Sequence, residues 1–580
     1  MLSTLFACQS NDTQGDDTKQ SEESTTESQT RLPAQDLTSE GFELTLSEDK
    51  SYYIFTSVGT CSDEKITVPA AFNGIPVKAI ASNAFIASKG ITEITVSEGV
   101  AEIGEQAFAY SKNLKKVTLA STVTAISARA FYNCASLESV TLGSSLSEIG
   151  VSAFEGCSAL TSVSVPSNVK SIGASAFYGC EKLATVTLGD SLERIGISAF
   201  DGTALIKNSA TTDIYLGKYL IKAAENASGE LAIADGTLLI ADHAAKGLNV
   251  SSVKMPSSLK FIGSNAFTAC KKLTSITLPD GLTSIGDSAF SSCEALTSAN
   301  LPDSLTYLGE LAFYHCSALE AIKIPSGITV INDQVFNECA SLKSVVFHDK
   351  LVSIGTYSFA NCTSLQKISF PDSLSVIGES AFYKCYNLLS VNLPKGLTKI
   401  KDYAFQHCNK LVDVKNESTL NVVADSKSTD NGYVGTYAKE IHNGESKIVE
   451  QNGYYFYSFS GTNYLMGCSD MTLTSLNLPS DFGGKSYVIY KYAFSFRPNL
   501  QSVTVTAGAK QLNGNSFYSC SNFSTLTLST SVTSINQNAL NVCPAFNSII
   551  FIGSESDFNA ISIHSTNSIL LAAQIEYRVS

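Results

Sequence analysis

Hydrophobic and polar positions follow one another along this chain in a pattern that returns every 23 residues. One unit, from Leu273 to Cys293, reads Leu-x-x-Ile-x-Leu-Pro-x-x-Leu-x-x-Ile-Gly-x-x-Ala-Phe-x-x-Cys. A unit this short cannot bury its apolar face alone, so successive units must stack and share one core. The phenylalanines that mark the central copies are Phe267, Phe290, Phe313, Phe336, Phe359, Phe382 and Phe405.

Each unit is predicted to contribute one β-strand to a parallel sheet. Alternation over residues 273–278 turns Ile276 inward and Thr277 outward. Pro279 should end the strand, because proline cannot donate to the ladder, and Gly286 suits a tight turn. We expect the strands of successive units to lie about 4.8 Å apart.

The interruptions of the period predict the domain organisation. Residues 41–415 form a first solenoid with an N-terminal hairpin cap, and residues 203–232 are an insertion with a hairpin around Gly217. Residues 416–445 are polar and glycine-rich, which predicts a linker. Residues 446–580 then form a second, short solenoid with a C-terminal cap.

The first 40 residues predict export and anchoring. Residues 1–8 end in Leu-Phe-Ala-Cys and resemble the remnant of a lipoprotein signal, with Cys8 as the lipidated residue. No basic region or long apolar segment precedes Cys8, so an accidental match is the alternative. Residues 9–40 hold eight acidic and two basic residues and almost no apolar ones, which predicts a disordered acidic tether. We therefore expect a lipid anchor at the bacterial cell surface, on the outer membrane, as the chain's one membrane contact.

The 23-residue phrase, repeated across most of residues 60–550, resembles the leucine-rich repeat of the BspA-like, Treponema-type class. That resemblance implies a β-dominated repeat solenoid of the α/β type, a right-handed superhelix with a parallel sheet, hairpin caps and insertions. Members of this class are mostly surface or secreted proteins associated with adhesion. It also implies no catalytic residue and no cofactor.

Composition and chemistry exclude several classes of function. The net charge of −14 argues against nucleic acid, since phosphate binding needs clustered Lys and Arg. Twelve of the 15 cysteines lie on the repeat phase, without a Cys-x-x-Cys pair, which predicts buried free thiols rather than metal ligands or a strained disulfide ladder. The six histidines do not cluster, and no catalytic motif occurs. We therefore predict a protein that is not an enzyme.

The outward positions of the predicted sheet are the candidate binding face. Small hydroxyls and amides there can hydrogen-bond an extended polypeptide or a glycan, although Thr and Ser also suit any solvated strand. The expected partners are host extracellular-matrix or cell-surface proteins, with glycans as a second class. The alternatives are a glycan-binding or structural envelope protein, and an enzyme with its site in the insertions. The candidate residues are Thr118, Thr141, Ser164, Thr187, Lys254, Thr277, Asn300, Lys323, Ser369 and Asn392.

Overall fold

The computed structural model describes residues 41–206, 211–426 and 428–578. Most strands of the described residues are parallel and pair with strands of the coils before and after, which confirms the predicted β-dominated solenoid. Cys8 and the tether predicted for residues 9–40 lie outside the described residues.

Every coil of the first solenoid contributes a strand to a row of parallel strands, divided into four sheets, that we call the long-strand ladder. The strand Ser275–Thr277 shows the predicted pattern, with Ile276 buried between two exposed neighbours. The long-strand ladder comprises Lys65–Val68, Glu93–Val96, Lys116–Thr118, Ser139–Thr141, Ser162–Ser164, Thr185–Thr187, Ser228–Ala232, Asn249–Lys254, Ser275–Thr277, Ser298–Asn300, Ala321–Lys323, Ser344–Val346, Lys367–Ile368, Ser390–Leu393, Asp413–Asn416 and Glu440–His442.

A second row of parallel strands, the short-strand ladder, is divided into three sheets and was not predicted, because its strands are mostly two residues long. Gly286 follows one of them, and a Cβ there would come within 2.6 Å of the Ser264 backbone nitrogen. Close approach of successive coils is therefore what demands glycine. The short-strand ladder comprises Tyr53–Ser57, Ile75–Ile80, Glu102–Ile103, Ala125–Ile126, Glu148–Ile149, Ser171–Ile172, Arg194–Ile195, Tyr219–Lys222, Leu239–Ile240, Phe261–Ile262, Ser284–Ile285, Tyr307–Leu308, Val330–Ile331, Ser353–Ile354, Val376–Ile377 and Lys399–Ile400.

The third side of each coil is a turn segment centred on the repeat phenylalanine. Ser288 and Ser292, two residues before and after Phe290, have φ of 55° and 58°. This winding lets the backbone amide of Phe290 donate to the carbonyl of Ala312 in the next coil, at 2.8 Å. The same positions are left-handed in coil after coil, so the turn segment is as regular as the strands.

The repeat phenylalanines and cysteines form two adjoining columns in the core. The rings of Phe267 and Phe290 are parallel, with centroids 5.4 Å apart. The Cys293 thiol donates to the carbonyl of Phe267 at 3.2 Å. The 14 described cysteines are free and all but Cys61 are buried, which confirms the prediction for the repeat cysteines. Burial raises the pKa of Cys339 to about 12, so this thiol stays protonated and unreactive at neutral pH.

Antiparallel hairpins begin the stacked segments. The first pairs Glu43–Leu46 with Tyr53–Ser57, and the second pairs Ile214–Leu216 with Tyr219–Lys222. The second hairpin interrupts the phenylalanine column, where Ala245 stands between Phe200 and Phe267. One continuous core nevertheless runs from Phe42 to Ala438 across this interruption.

The segment with the composition of a linker is the last coil of the first solenoid. Glu440–His442 pairs in parallel with Asp413–Asn416, and Val434 and Ala438 are fully buried in the first core. These apolar residues, among polar and glycine residues, close the end of the core, so the linker expected at 416–445 is not what the structure shows. The short helical elements of this coil are Asp430–Tyr433 and Val434–Tyr437.

The second solenoid repeats the architecture around a core of its own. Its first strands, Ile448–Gln451, Tyr454–Phe459 and Thr462–Cys468, are antiparallel. Its remaining strands stack in parallel, and two short helices lie near the C-terminus. These elements are Ser475–Asn477, Tyr487–Ile489, Ser502–Thr504, Ala509–Leu512, Thr525–Ser529, Ser534–Ile535, Ser548–Ile552, Glu555–Asn559, Ser562–Ile563, Ser568–Leu571 and Gln574–Arg578.

Candidate functional site

The ten candidate residues all lie on the outer face of the long-strand ladder or directly after its strands. Eight are exposed, and Thr118 and Asn392 are half-buried. Ser162 and Thr185, two residues before Ser164 and Thr187, are exposed as well, so two polar columns run side by side. The Thr187 hydroxyl donates to that of Ser164 at 2.9 Å, which links neighbouring coils along one column.

The candidate residues form two groups rather than one continuous surface. The hairpin at Ile214–Lys222 and its flanks separate the group that ends at Thr187 from the group that begins at Lys254. Asn392 serves the fold, because its side-chain amide accepts from the Phe370 amide at 2.7 Å and donates to the Phe370 carbonyl at 2.9 Å. It is therefore a weaker ligand-contact candidate than the other nine.

One part of the second group is concave. A shallow groove of about 570 Å³ is lined by Lys254 and Thr277 together with Glu230 and Asp280. The groove presents both signs of charge and several hydroxyls. Such a surface can pair with polar groups of a macromolecule but has no enclosed apolar pocket for a small molecule.

The second solenoid docks beside this face, near the end of the first. The ammonium of Lys367 lies 4.9 Å from the ring centroid of Tyr455. The side chain of Gln366 donates to the Cys468 carbonyl at 2.8 Å. The second solenoid therefore contacts the long-strand ladder at Gln366 and Lys367, and Lys367 and Ser369 remain exposed beside this contact.

The sequence carries a signal for this docking that periodicity alone did not expose. Leu389 and Val412 occupy the repeat position that holds Thr274 and Thr297 in earlier coils. Leu389 is 2% and Val412 0% exposed, and both belong to the second solenoid's core. An apolar pair that replaces polar residues at a solvent-facing position marks where another element packs.

The docking contact also buries a cation. Lys410 donates to Asn387 Oδ1 at 2.7 Å and to the backbone carbonyl of Ala493. Burial lowers the pKa of Lys410 to about 7, and the guanidinium of Arg497 adds to this lowering, whereas Cys468 opposes it. A buried ammonium held by neutral oxygens makes this contact sensitive to pH.

The described residues contain no group of three or more His, Cys, Asp or Glu that could hold a metal ion. The two histidines at one repeat position have separate local partners. His315 Nδ1 lies 2.8 Å from Glu338 Oε2, and the ring of His407 packs edge-on against Tyr383. Each is therefore a half-buried residue that contacts a side chain of a neighbouring coil.

Each coil adds one strand to each of the two ladders, and phenylalanines and cysteines form buried columns beneath a polar outer face. This combination defines a leucine-rich repeat solenoid. The chain belongs to the family described as BspA type leucine rich repeat region, which confirms the resemblance seen in the sequence. The family's sequence model matches in six copies, over residues 78–207, 239–363, 329–427 and 463–573. No curated protein matches the chain in sequence.

Several solved structures are similar to this chain. A leucine-rich repeat protein from Bacteroides ovatus is 28% identical, over 66% of this chain and 94% of its own, with a TM-score of 0.32. A leucine rich cell surface protein from Faecalibacterium prausnitzii is 21% identical, over 92% and 99%, with a TM-score of 0.27. The pneumococcal vaccine antigen PcpA is 15% identical, over 95% and 100%, with a TM-score of 0.23. Because these TM-scores are low, the family assignment rests on the sequence match.

Proposed function

We propose that this protein is a non-enzymatic bacterial surface protein that binds host matrix proteins or other cells through the outer face of its long-strand ladder. The main support is that eight of the ten candidate side chains are exposed, in two groups along the outer face of the ladder. Repetition supplies area there, so affinity should be spread over many weak contacts.

Charge reversal on the ladder tests this proposal. The double variant Lys254→Glu, Lys323→Glu changes two exposed residues of the ladder face, and Lys399→Glu changes an exposed residue of the short-strand ladder. Binding of the full chain to a panel of purified matrix proteins is measured by surface plasmon resonance. We expect the double variant to bind at least about tenfold more weakly and the control to bind like the parent. Equal binding by all three would refute the assignment of this face.

An in-frame deletion gives an independent test. Removing residues 279–347 takes out three whole periods and should leave the remaining coils in phase. We expect a folded protein that binds the same partners more weakly. A glycan array run beside the matrix panel separates the alternatives, since binding to glycans alone would favour a glycan-binding envelope protein.

We also propose that the protein is exported and anchored through a lipid on Cys8. In the described residues no helix has the length and apolarity to cross a bilayer. Expression with an alkyne-tagged fatty acid should label the wild-type protein and not Cys8→Ala. Labelling of both proteins, or of neither, would refute the anchor.

A further inference from the structure

A groove of about 600 Å³ lies beside the first coils of the second solenoid, where Lys439 of the first solenoid approaches it. We call it the junction groove, and its wall is formed by Lys439, Tyr464, residues 490–492, residues 513–515, Gln537 and Asn538. It is distant in sequence from the candidate ladder residues, and nothing in the repeat pattern requires its composition.

The wall of the junction groove departs from the repeat at one corner. In the first solenoid the residue after the short strand is often glycine, as at Gly286, because successive coils nearly touch there. In the second solenoid that position holds Tyr490, Asn513 and Asn536. Tyr490 and Asn513 therefore line the groove at a position where glycine is the commonest residue in the first solenoid.

Two separate hydrogen bonds hold side-chain amides at this wall, and other hydrogen-bonding groups of the wall are left free. Asn536 donates to Asn513 Oδ1 at 2.8 Å, and Asn515 donates to the Tyr492 hydroxyl at 3.3 Å. Among the described residues, the exposed side chain of Gln537 has no hydrogen-bond partner. Side-chain amides carry both donors and acceptors, which is what sugar hydroxyls require.

The groove also holds a cation that lacks an anion. Lys439 lies 3.6 Å from Asp425, whereas Lys491 makes no ion pair with any described residue and instead lies 5.9 Å from the Tyr490 ring centroid. Burial lowers the pKa of Lys491, and the positive charge of Lys439 lowers it further, although Asp425 opposes this. A negative group in the groove would favour the charged form of Lys491 and so offset the effects of its burial and of the neighbouring Lys439 charge.

Tyrosine rings supply the apolar part of the site. Tyr464 is half-buried and packs edge-on against Tyr490, with ring centroids 5.5 Å apart. Tyr492, two residues after Tyr490, is also half-buried and lines the same groove. Aromatic rings with one apolar face and one polar tip suit the alternating CH and OH groups of a pyranose.

From this juxtaposition we propose that the junction groove binds an acidic glycan. A carboxylate of a uronic-acid unit would pair with Lys491 and Lys439, the sugar ring would lie against Tyr464 or Tyr492, and the hydroxyls would bond the amides of Asn515 and Gln537. An acidic peptide would also satisfy the lysines and could bond the amides through its backbone, but it offers no ring to lie against the tyrosines, so the glycan fits more of the wall. This proposal goes beyond the ladder face and does not depend on it.

Isothermal titration of the full chain with uronate hexasaccharides (galacturonate, mannuronate, and alternating glucuronate and N-acetylglucosamine) tests the proposal. Maltohexaose serves as the neutral probe and poly-glutamate as the acidic peptide. We expect at least one uronate to bind, more weakly as salt rises, and the neutral sugar not to bind. Binding of poly-glutamate alone, or of no probe, would overturn the proposal.

Two variants locate the site. Lys491→Gln should weaken uronate binding about tenfold, the loss of one charge-assisted contact, and Gln537→Ala should weaken it severalfold without changing the thermal midpoint. The matched control is Lys485→Gln, which removes an exposed lysine of the same solenoid outside the groove. The ladder variant Lys254→Glu, Lys323→Glu should keep uronate binding, so failure of either proposal can be told from failure of the other. Uronate binding that is unchanged in Lys491→Gln would place the ligand elsewhere and refute this one.

Discussion

Removing one ring from the phenylalanine column should loosen several coils at once. Phe313 is fully buried, and its ring lies 5.4 Å from that of Phe290 and 5.7 Å from that of Phe336. A Phe→Ala change in a core costs about 3–5 kcal/mol, and the loss of two stacked neighbours places Phe313→Ala in the upper half of that range. The matched control is Phe313→Leu, because Leu540 occupies the same repeat position and is 2% exposed. That variant should cost about 1 kcal/mol.

The assay must resolve single coils, because a long solenoid need not unfold in one step. Hydrogen exchange followed by mass spectrometry gives the free energy of opening for peptides spanning residues 290–336. Phe313→Ala should lower that free energy by about 4 kcal/mol and leave the separate core of the second solenoid unchanged. A loss below about 1 kcal/mol, or equal losses in the Ala and Leu variants, would refute a tightly stacked column.

Other substitutions test individual features of the fold. Cys316→Ser should change the free energy of unfolding, measured by urea titration, by no more than about 1 kcal/mol. The reason is that Ser111 holds the same repeat position and donates to the equivalent carbonyl at 2.8 Å. A larger loss would mean that the thiol contributes more to stability than this hydrogen bond. Lys410→Met should abolish a rise in the stability of the solenoid contact between pH 7 and 9. In the wild type the lowered pKa of Lys410 means that the folded state binds fewer protons there, so stability increases with pH, and identical pH profiles would contradict this. Asp242→Ala should lower the thermal midpoint and reduce the free energy of unfolding by about 1–3 kcal/mol. Buried Asp242 accepts hydrogen bonds from Arg194 at 2.9 Å and from the Ser264 backbone amide. An unchanged midpoint would contradict that role.

The repeat predicted most of the fold because each side chain has the same neighbours in every coil. Ile276, Phe290 and Cys293 are buried as their spacing indicates, since a fixed period leaves one consistent way to stack. The short-strand ladder escaped prediction because a pair such as Ser284–Ile285 is too short to show alternation. Its pairing depends on the neighbouring coil, which local pattern does not encode.

Contacts between distant segments were harder to predict. The last coil of the first solenoid looked like a linker because two buried residues, Val434 and Ala438, stand among polar ones. The docking of the second solenoid rests on Leu389 and Val412, and a partner for an apolar surface residue cannot be identified from its own coil. For the candidate face, exposure was predictable from alternation, whereas the structural use of Asn392 was not.

The most direct test of the stacked solenoid is a distance along the candidate face. Lys254 and Ser369 are 115 residues apart, which is five periods, and both are exposed. With Cys8 and Cys61 replaced by serine, nitroxide labels on Lys254→Cys and Ser369→Cys can be measured by pulsed electron resonance while the repeat thiols stay buried. Stacked coils predict one narrow distribution near about 24 Å. A broad distribution, or a mean beyond about twice that value, would show that these coils do not lie on one another.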